Sequence, residues 1–222
     1  MKAEKIIFAV DCENVDPYKF FGMISSLPIR VRSRIGEIIL YDDVNANTAW
    51  NYFEKCFSIS VTHIQTERVL EHKSVVDMEL ILGVMKKCYE SLTDSVVLCS
   101  SDSDFLPLIQ ALPKVNFMVL YEEEKCSNAT KGKWKNSNTP FHVLDNYYQA
   151  DCDELQKYVF IDVLKKLLPM YIGRKVDDLL KAMSHETHFI LTDKQLKEYY
   201  DSYMKNIRLC VDEEGMLAVA IG

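Results

Sequence analysis

The sequence predicts an α/β protein in which residues 1–150 form a domain around a central parallel sheet and residues 151–222 form a small α+β domain. Through about residue 145, short β-rich runs alternate with helical periodicity, as in a parallel sheet covered by helices. The pattern then changes to three helical segments and two apolar runs. An apolar content of 48% over 222 residues suffices for a buried core.

Short apolar runs bounded by polar residues predict the strands of the larger domain. They are Lys5–Val10, Gly36–Tyr41, Ser58–Ile64, Ser95–Cys99 and Asn116–Tyr121, with a short run at Phe141–Leu144 as an edge strand. Helical periodicity predicts the helices Tyr18–Ser26, Asn47–Cys56, Val75–Ser91 and Phe105–Leu112. The order of these elements favours three layers with the sheet in the middle.

The polar segment Glu122–Asn138 predicts a mobile loop. Its lysines, at positions 125, 131, 133 and 135, either form a solvated surface or belong to a flap that steers a nucleic acid strand. In the second interpretation Trp134 is available to stack on a base.

The last third of the chain predicts three helices, Asp153–Leu168, Lys175–Ser184 and Asp193–Met204, followed by a hairpin of the runs Ile207–Val211 and Met216–Ile221. Three helices and a hairpin resemble a winged-helix module. Such a module often binds nucleic acid, but residues 151–222 carry 10 Lys and Arg against 13 Asp and Glu. Docking of a protein partner or homodimerisation through this domain is therefore an equal alternative.

Charge and cysteine usage limit the possible classes of function. The formal net charge is −7, which argues against tight, sequence-independent coating of nucleic acid but not against a nuclease. The seven cysteines are scattered without a CxxC pair, which predicts reduced thiols and a cytoplasmic protein. We expect neither a signal peptide nor a membrane-spanning segment.

Acidic residues follow two of the predicted strands directly. Asp11 follows the first strand, and Asp102 and Asp104 follow the strand that ends at Cys99. Sites in open parallel sheets lie at the carboxyl ends of strands, so these acids are candidates for one site. The alternative for each is structural, because Asp102 could cap a helix and Asp11 could stabilise a turn.

Asp77 is the third candidate because it interrupts an apolar stripe. Positions 77, 80, 81, 84 and 88 share one helical face, and the other four residues are apolar. A favourable helix dipole would explain a carboxylate in the first turn. Burial without a partner would cost more than the dipole contributes, so we expect a metal or a hydrogen-bond partner at Asp77.

Oxygen ligands of this kind, without a Cys/His set, favour a hard divalent cation, Mg²⁺ or Mn²⁺, over zinc, and the spacing leaves open whether one or two ions bind. Such a site would lower the pKa of an attacking water and stabilise charge on a phosphate. Asn14 could orient the water or a phosphate oxygen, or simply stabilise the turn.

Three segments carry a resemblance to a known family. Asp-Cys-Glu-Asn at 11–14, Lys-Ser-Val-Val-Asp-Met-Glu-Leu-Ile-Leu-Gly at 73–83 and Leu-Cys-Ser-Ser-Asp-Ser-Asp-Phe at 98–105 resemble, in order, the signatures of the NYN family of PIN-like nucleases. The resemblance covers about residues 5–145. It implies a PIN-like fold and a Mg²⁺- or Mn²⁺-dependent ribonuclease, with an appended module that binds nucleic acid or protein.

By this resemblance Asp11, Asp77, Asp102 and Asp104 are the metal-binding acids, with Asn14 beside them. The candidate contacts with the substrate are Asn14, Lys73, Ser101, Ser103 and Trp134. The chain departs from the family pattern at two positions, with Gly83 in place of a further acid and Ser101 in place of a glycine. Lys73 could equally be a solvated residue at the helix start.

Two other classes of function compete with a ribonuclease. The first is a PIN-like module that binds RNA or a protein with little or no catalysis. The second is a phosphotransfer enzyme, such as a haloacid-dehalogenase-like phosphatase, which would need Asp at position 13, where this chain has Glu. Cleavage of single-stranded DNA also stays open, because the sequence identifies no reader of the 2′-hydroxyl.

Overall fold

Two compact units make up the chain, Met1–Leu155 and Gln156–Gly222. The structure is a computed structural model that describes residues 5–43, 47–66, 75–90, 93–147, 152–171, 176–189, 191–211 and 217–221. Lys73, a predicted substrate contact, lies outside these residues. No helix in the described ranges is long and apolar enough to cross a membrane.

A six-stranded parallel sheet forms the centre of the first unit, which confirms the predicted α/β class. Its strands are β1 (Ile6–Asp11), β2 (Ile35–Asp43), β3 (Val61–Thr66), β4 (Ser95–Cys99), β5 (Asn116–Tyr121) and β6 (Phe141–Val143). They lie in the order β3-β2-β1-β4-β5-β6. The order reverses between β1 and β4, and the carboxyl ends on either side of such a reversal are the usual location of a site in open α/β sheets.

The helices of the first unit connect these parallel strands. They are α1 (Pro17–Ser26), α2 (Ile29–Arg32), α3 (Phe53–Cys56), α4 (Val76–Glu90), α5 (Leu106–Ala111) and α6 (Asn128–Asn136). The predicted helix over residues 47–56 is instead a 3₁₀ helix, Thr48–Tyr52, followed by the single turn of α3. Further 3₁₀ turns lie at Ser103–Phe105, Glu123–Lys125 and Asp145–Tyr147.

Both faces of the sheet are covered in part by these helices. On one face, Leu80 and Val84 of α4 are buried in a cluster with Ala9 of β1 and Leu98 of β4. On the other face, the ring of Phe20 of α1 packs edge-on against the ring of Phe8 of β1, with the ring centroids 6.0 Å apart. Because alternate side chains of a strand point to opposite faces, successive buried residues of β1 serve both layers. The carboxyl edge of the sheet is thereby held from two sides.

The segment Glu122–Asn138 was predicted to be a mobile loop, and this prediction is wrong. It contains a 3₁₀ turn and the helix α6, which begins after Ser127, whose hydroxyl accepts a hydrogen bond from the backbone N–H of Thr130. The indole of Trp134 is 1% exposed and packs against the rings of Tyr121 and Phe141. Burial of one large side chain thus stabilises a short polar helix whose composition gives little helical signal.

The second unit consists of three helices and an antiparallel hairpin. The helices are α7 (Asp153–Tyr171), which begins at the end of the first unit, α8 (Val176–Thr187) and α9 (Asp193–Ser202), and the strands are β7 (Ile207–Val211) and β8 (Leu217–Ile221). Thr192 and Gln195 form a capping box at the start of α9. The rings of Phe160 and Tyr199 lie 4.4 Å apart and join α7 to α9.

Candidate metal centre

Asp11 is the last residue of β1, and its side chain is fully buried. One carboxylate oxygen, Oδ2, accepts hydrogen bonds from Asn14 Nδ2 at 2.7 Å and from Ser100 Oγ at 2.8 Å. The other oxygen, Oδ1, is buried and has no hydrogen-bond partner among the described residues. Burial raises the pKa of Asp11, and the two hydrogen bonds offset part of this effect.

Ser100 connects the ends of the two central strands. Its hydroxyl donates to Asp11 at the end of β1 and accepts the backbone N–H of Asp102 at 3.1 Å after β4. Sequence reasoning did not single out Ser100, although it lies directly between a buried strand and the first acid of the Asp-Ser-Asp motif. The position of Asp102 relative to Asp11 is therefore set by one buried hydroxyl.

Asp102 and Asp104 lie on the 3₁₀ turn that follows β4. Asp102 Oδ1 accepts the backbone N–H of Asp104 at 2.9 Å, so Asp102 is the N-cap of this turn, as the structural alternative predicted. Capping occupies only one of its two carboxylate oxygens. Asp104 is exposed, whereas Asp102 is partly buried.

Asp77 lies in the first turn of α4 and is partly buried. Its pKa is raised to about 6, first by burial and then by the negative charges of Asp11, Asp102 and Asp104. The structure thus brings the four predicted aspartates into one electrostatic neighbourhood. Within the described residues the Asp77 side chain has neither an ion pair nor a hydrogen bond, so the expected metal or hydrogen-bond partner stays a prediction.

The four side chains are neighbours without forming a closed coordination shell. In the part of the chain that the structure describes, no three His, Cys, Asp or Glu side chains are grouped closely enough to hold a metal ion as they stand. Their chemistry nevertheless fits a hard cation, because every donor is an oxygen. The buried Asp11 Oδ1 also lacks a partner that a cation would provide. Asp11, Asp77, Asp102 and Asp104 therefore stay candidate ligands for Mg²⁺ or Mn²⁺.

Four of the five proposed substrate contacts have other partners in the structure. The side chain of Asn14 holds the Asp11 carboxylate. Ser101 is 4% exposed, and its hydroxyl accepts the backbone N–H of Glu122 at 3.0 Å. Trp134 lies in the core, so its indole cannot stack on a base, and this prediction is corrected. Ser103 is partly exposed, and its hydroxyl accepts a hydrogen bond from Lys133 Nζ at 3.3 Å.

A partly buried ion-pair network of Lys19, Glu122 and Asp145 was not predicted from the sequence. Lys19 Nζ of α1 donates to Glu122 at 2.6 Å and to Asp145 at 2.9 Å. Burial lowers the pKa of Lys19, but the hydrogen bonds to both carboxylates outweigh it and hold the pKa above its ordinary value. Because the Glu122 backbone also bonds to Ser101, the network ties α1 to the loop that carries Asp102.

Tyr41 occupies the space beside Gly83, where the family pattern has a further acid. A Cβ atom at position 83 would lie 2.1 Å from the Tyr41 hydroxyl oxygen. The hydroxyl itself is buried and has no hydrogen-bond partner among the described residues. The two residues are therefore matched in shape, and the glycine at 83 leaves room for an aromatic ring rather than for a metal ligand.

Comparisons with known proteins identify the family of this chain. Residues 3–142 match the model of the NYN domain family. A crystal structure of a protein of unknown function from Vibrio parahaemolyticus is 14% identical and covers 66% of this chain and 96% of its own, with a TM-score of 0.46. Among curated proteins, none matches this chain. Since the family model spans well over half of the 222 residues, this chain belongs to the NYN domain family of the PIN-like nuclease superfamily.

Proposed function

We propose that this chain is a metal-dependent ribonuclease that hydrolyses phosphodiester bonds, as an endonuclease, at a Mg²⁺ or Mn²⁺ site formed by Asp11, Asp77, Asp102 and Asp104. The observation that carries the proposal is the buried, unpartnered Oδ1 of Asp11 in a neighbourhood of four carboxylates. Uncompensated burial of a carboxylate is costly, so a site of this kind is retained where a cation compensates it.

The side chains of this chain perform distinct tasks in the proposed reaction. Asn14 and Ser100 fix the orientation of the Asp11 carboxylate through hydrogen bonds to Oδ2, which leaves Oδ1 for the cation. Asp77 and Asp102 complete an oxygen-donor set from α4 and from the loop after β4. A divalent cation held there would lower the pKa of a water and place positive charge next to the phosphate. Asp104 is the exposed member of the four acids, and its carboxylate could accept a proton on the solvent side of the site.

Cleavage of single-stranded RNA in the presence of Mn²⁺ tests the proposal. We expect Asp11→Asn and Asp102→Asn to reduce the rate at least about a hundredfold, because each removes a charged donor from a site that acts by electrostatic stabilisation. The matched control is Asp94→Asn, since Asp94 lies just before β4 at the opposite edge of the same sheet. Equal background cleavage by the wild type and all three variants would refute the proposed ribonuclease activity. A parallel reaction with single-stranded DNA shows whether the enzyme prefers RNA or DNA.

One observation favours a second candidate, a PIN-like module that binds RNA or a protein with little or no catalysis. The acids within the described residues do not form a closed ligand shell. This candidate predicts RNA binding by the wild type without metal-dependent cleavage in the same assay. It also predicts that Asp11→Asn does not reduce RNA affinity, because removing a negative charge favours binding of a polyanion.

We also propose that residues 151–222 are a winged-helix-like domain that docks a protein partner or a second copy of the chain. Support comes from the order of α7, α8 and α9 before the hairpin and from the exposed apolar residues Leu209 and Val211 on β7, which are 56% and 65% exposed. Sedimentation of the full chain tests the second copy. If the wild type is a dimer, we expect Leu209→Ser to dissociate it. A monomeric wild type would rule out the second copy, and docking of a partner protein would be the remaining proposal.

A further inference from the structure

Lys133 on α6 reaches the acidic edge of the sheet. Its Nζ lies 3.3 Å from the hydroxyl oxygen of Ser103, which stands between Asp102 and Asp104 in the sequence. The lysine side chain is exposed, so an anion in solution can approach it. This places an ammonium group beside the proposed metal ligands, on an element that does not supply any of them.

The backbone that carries Lys133 is held in place by packing. Ser127 caps the first turn of α6, and Trp134, the next residue after Lys133, is buried between Tyr121 and Phe141. The backbone of Lys133 thus belongs to a helix anchored to β5 and β6, rather than to a flexible flap. A lysine on an anchored helix loses less backbone freedom when it binds a phosphate than one on a mobile loop does.

The charge of Lys133 is compensated differently from the charges of Lys125 and Lys131 in the same segment. Lys131 pairs with Glu123 and lies over the Tyr121 ring, and Lys125 pairs with Glu122 at 3.3 Å. Lys133 has a neutral hydroxyl as its partner in the described structure. Its positive charge is therefore not cancelled by a paired carboxylate, and the surrounding acids would otherwise repel a polyanion.

We propose that Lys133, oriented by the Ser103 hydroxyl, binds the backbone phosphate next to the scissile one in single-stranded RNA. This inference rests on the proposed ribonuclease activity. It implies that the RNA strand runs from the four aspartates across α6. The contact is electrostatic and independent of base identity, since a lysine reads the phosphate charge and not the sequence. It replaces the base stacking by Trp134 that the sequence suggested.

Equilibrium binding of a fluorescent single-stranded RNA to the full chain tests the inference. All proteins carry Asp77→Asn, which removes one proposed ligand and prevents turnover, and the RNA is checked for integrity afterwards. We expect Lys133→Gln to weaken binding roughly two- to fivefold, the range for an exposed ion pair. The slope of log affinity against log salt should fall by about 0.7, the value for one phosphate contact on a single strand. Lys133→Arg should retain the affinity, because guanidinium also binds phosphate.

The control is Lys114→Gln, which removes the same charge from an exposed lysine just before β5, at the opposite edge of the sheet. Unchanged affinity and salt slope in Lys133→Gln overturn the inference. An equal loss in Lys114→Gln overturns it as well, because it shows a general effect of net charge. Since this assay measures binding alone, failure of the ribonuclease proposal appears separately. The wild type would then show no cleavage of RNA in Mn²⁺, while in the Asp77→Asn background Lys133→Gln would still bind RNA more weakly than Lys114→Gln.

Discussion

At the scale of single residues, the carboxylates of the site differ in how their negative charge is compensated. Asp11 is fully buried but receives two hydrogen bonds, whereas Asp77 has no such donor within the described residues. Burial, and after it the negative charges of Asp11, Asp102 and Asp104, raise the pKa of Asp77 to about 6. The ionised site of the protein without metal is therefore under electrostatic strain that a cation would relieve.

The first prediction concerns the stability of the metal-free protein as a function of pH. A carboxyl whose pKa is higher in the folded state than in the unfolded state binds more protons when folded, so stability falls as pH rises from 3.8 to about 6. Above that range Asp77 is charged and costly in the folded protein. In EDTA we expect Asp77→Asn to be more stable than the wild type by on the order of 1 kcal/mol at pH 8, and by less at pH 5.

Thermal unfolding at the two pH values measures this difference. Adding Mn²⁺ at pH 8 should reverse the order, because only the wild type keeps the full set of oxygen donors and gains the binding free energy. A variant that is less stable than the wild type in EDTA at pH 8 would contradict the electrostatic account. Asp94→Asn serves as the control and should show no dependence on Mn²⁺.

At the scale of elements, the site depends on how α4 packs on the sheet. Two predicted apolar positions of α4, Leu80 and Val84, are buried, and this face brings Asp77 towards the end of β1. The stripe was readable from the sequence because a helix repeats its faces every three to four residues. The contact of Gly83 with Tyr41 was not readable, since it depends on the direction of one ring from another strand.

The second prediction tests this contact. Gly83→Ala should destabilise the protein by about 1–3 kcal/mol, the usual cost of overpacking, because the added Cβ would lie 2.1 Å from the Tyr41 hydroxyl. Tyr41→Phe removes a buried hydroxyl without a partner among the described residues and should by itself be close to neutral. The double variant Gly83→Ala with Tyr41→Phe should recover part of the loss, which urea unfolding measures.

Gly132 provides a matched control for that experiment. It also lies inside a helix, but a Cβ at this position meets no atom within 4 Å. Gly132→Ala should therefore stabilise the protein by roughly 0.5–1 kcal/mol through the better helix propensity of alanine. If Gly83→Ala gave the same gain, the close approach of Tyr41 to α4 would be wrong.

At the scale of the whole molecule, the central sheet could be predicted from the sequence more completely than the segments around it. β4 and β5 have the predicted ends, because both are apolar runs between polar turns. β2 continues two residues past its predicted end, because Asp42 and Asp43 are buried and pair with β3. The prediction missed them because acidic residues interrupt the apolar run that indicates a strand. The helix α6 was missed because it depends on the burial of Trp134, a tertiary contact.

The candidate site shows the same division between local and tertiary information. The acids at strand ends followed from the α/β pattern, because the carboxyl ends of neighbouring parallel strands share one edge. Two kinds of contact could not be predicted: the hydrogen bond from Ser100 to Asp11 and the ion pairs of Lys19 with Glu122 and Asp145. Each of these contacts joins residues about 90 to 126 positions apart. Long-range partners of this kind leave no periodic signal in one sequence.

A divalent cation bound by the four aspartates is central to the proposed function. A crystal structure of the full chain grown in Mn²⁺ tests it most directly through the anomalous signal of the metal. We predict an anomalous peak about 2.0–2.2 Å from Asp11 Oδ1, with Asp77 and Asp102 moved onto the same ion, because oxygen donors bind cations of this size at such distances. Carboxylates without an anomalous peak, paired instead with lysine or arginine side chains, would contradict the account.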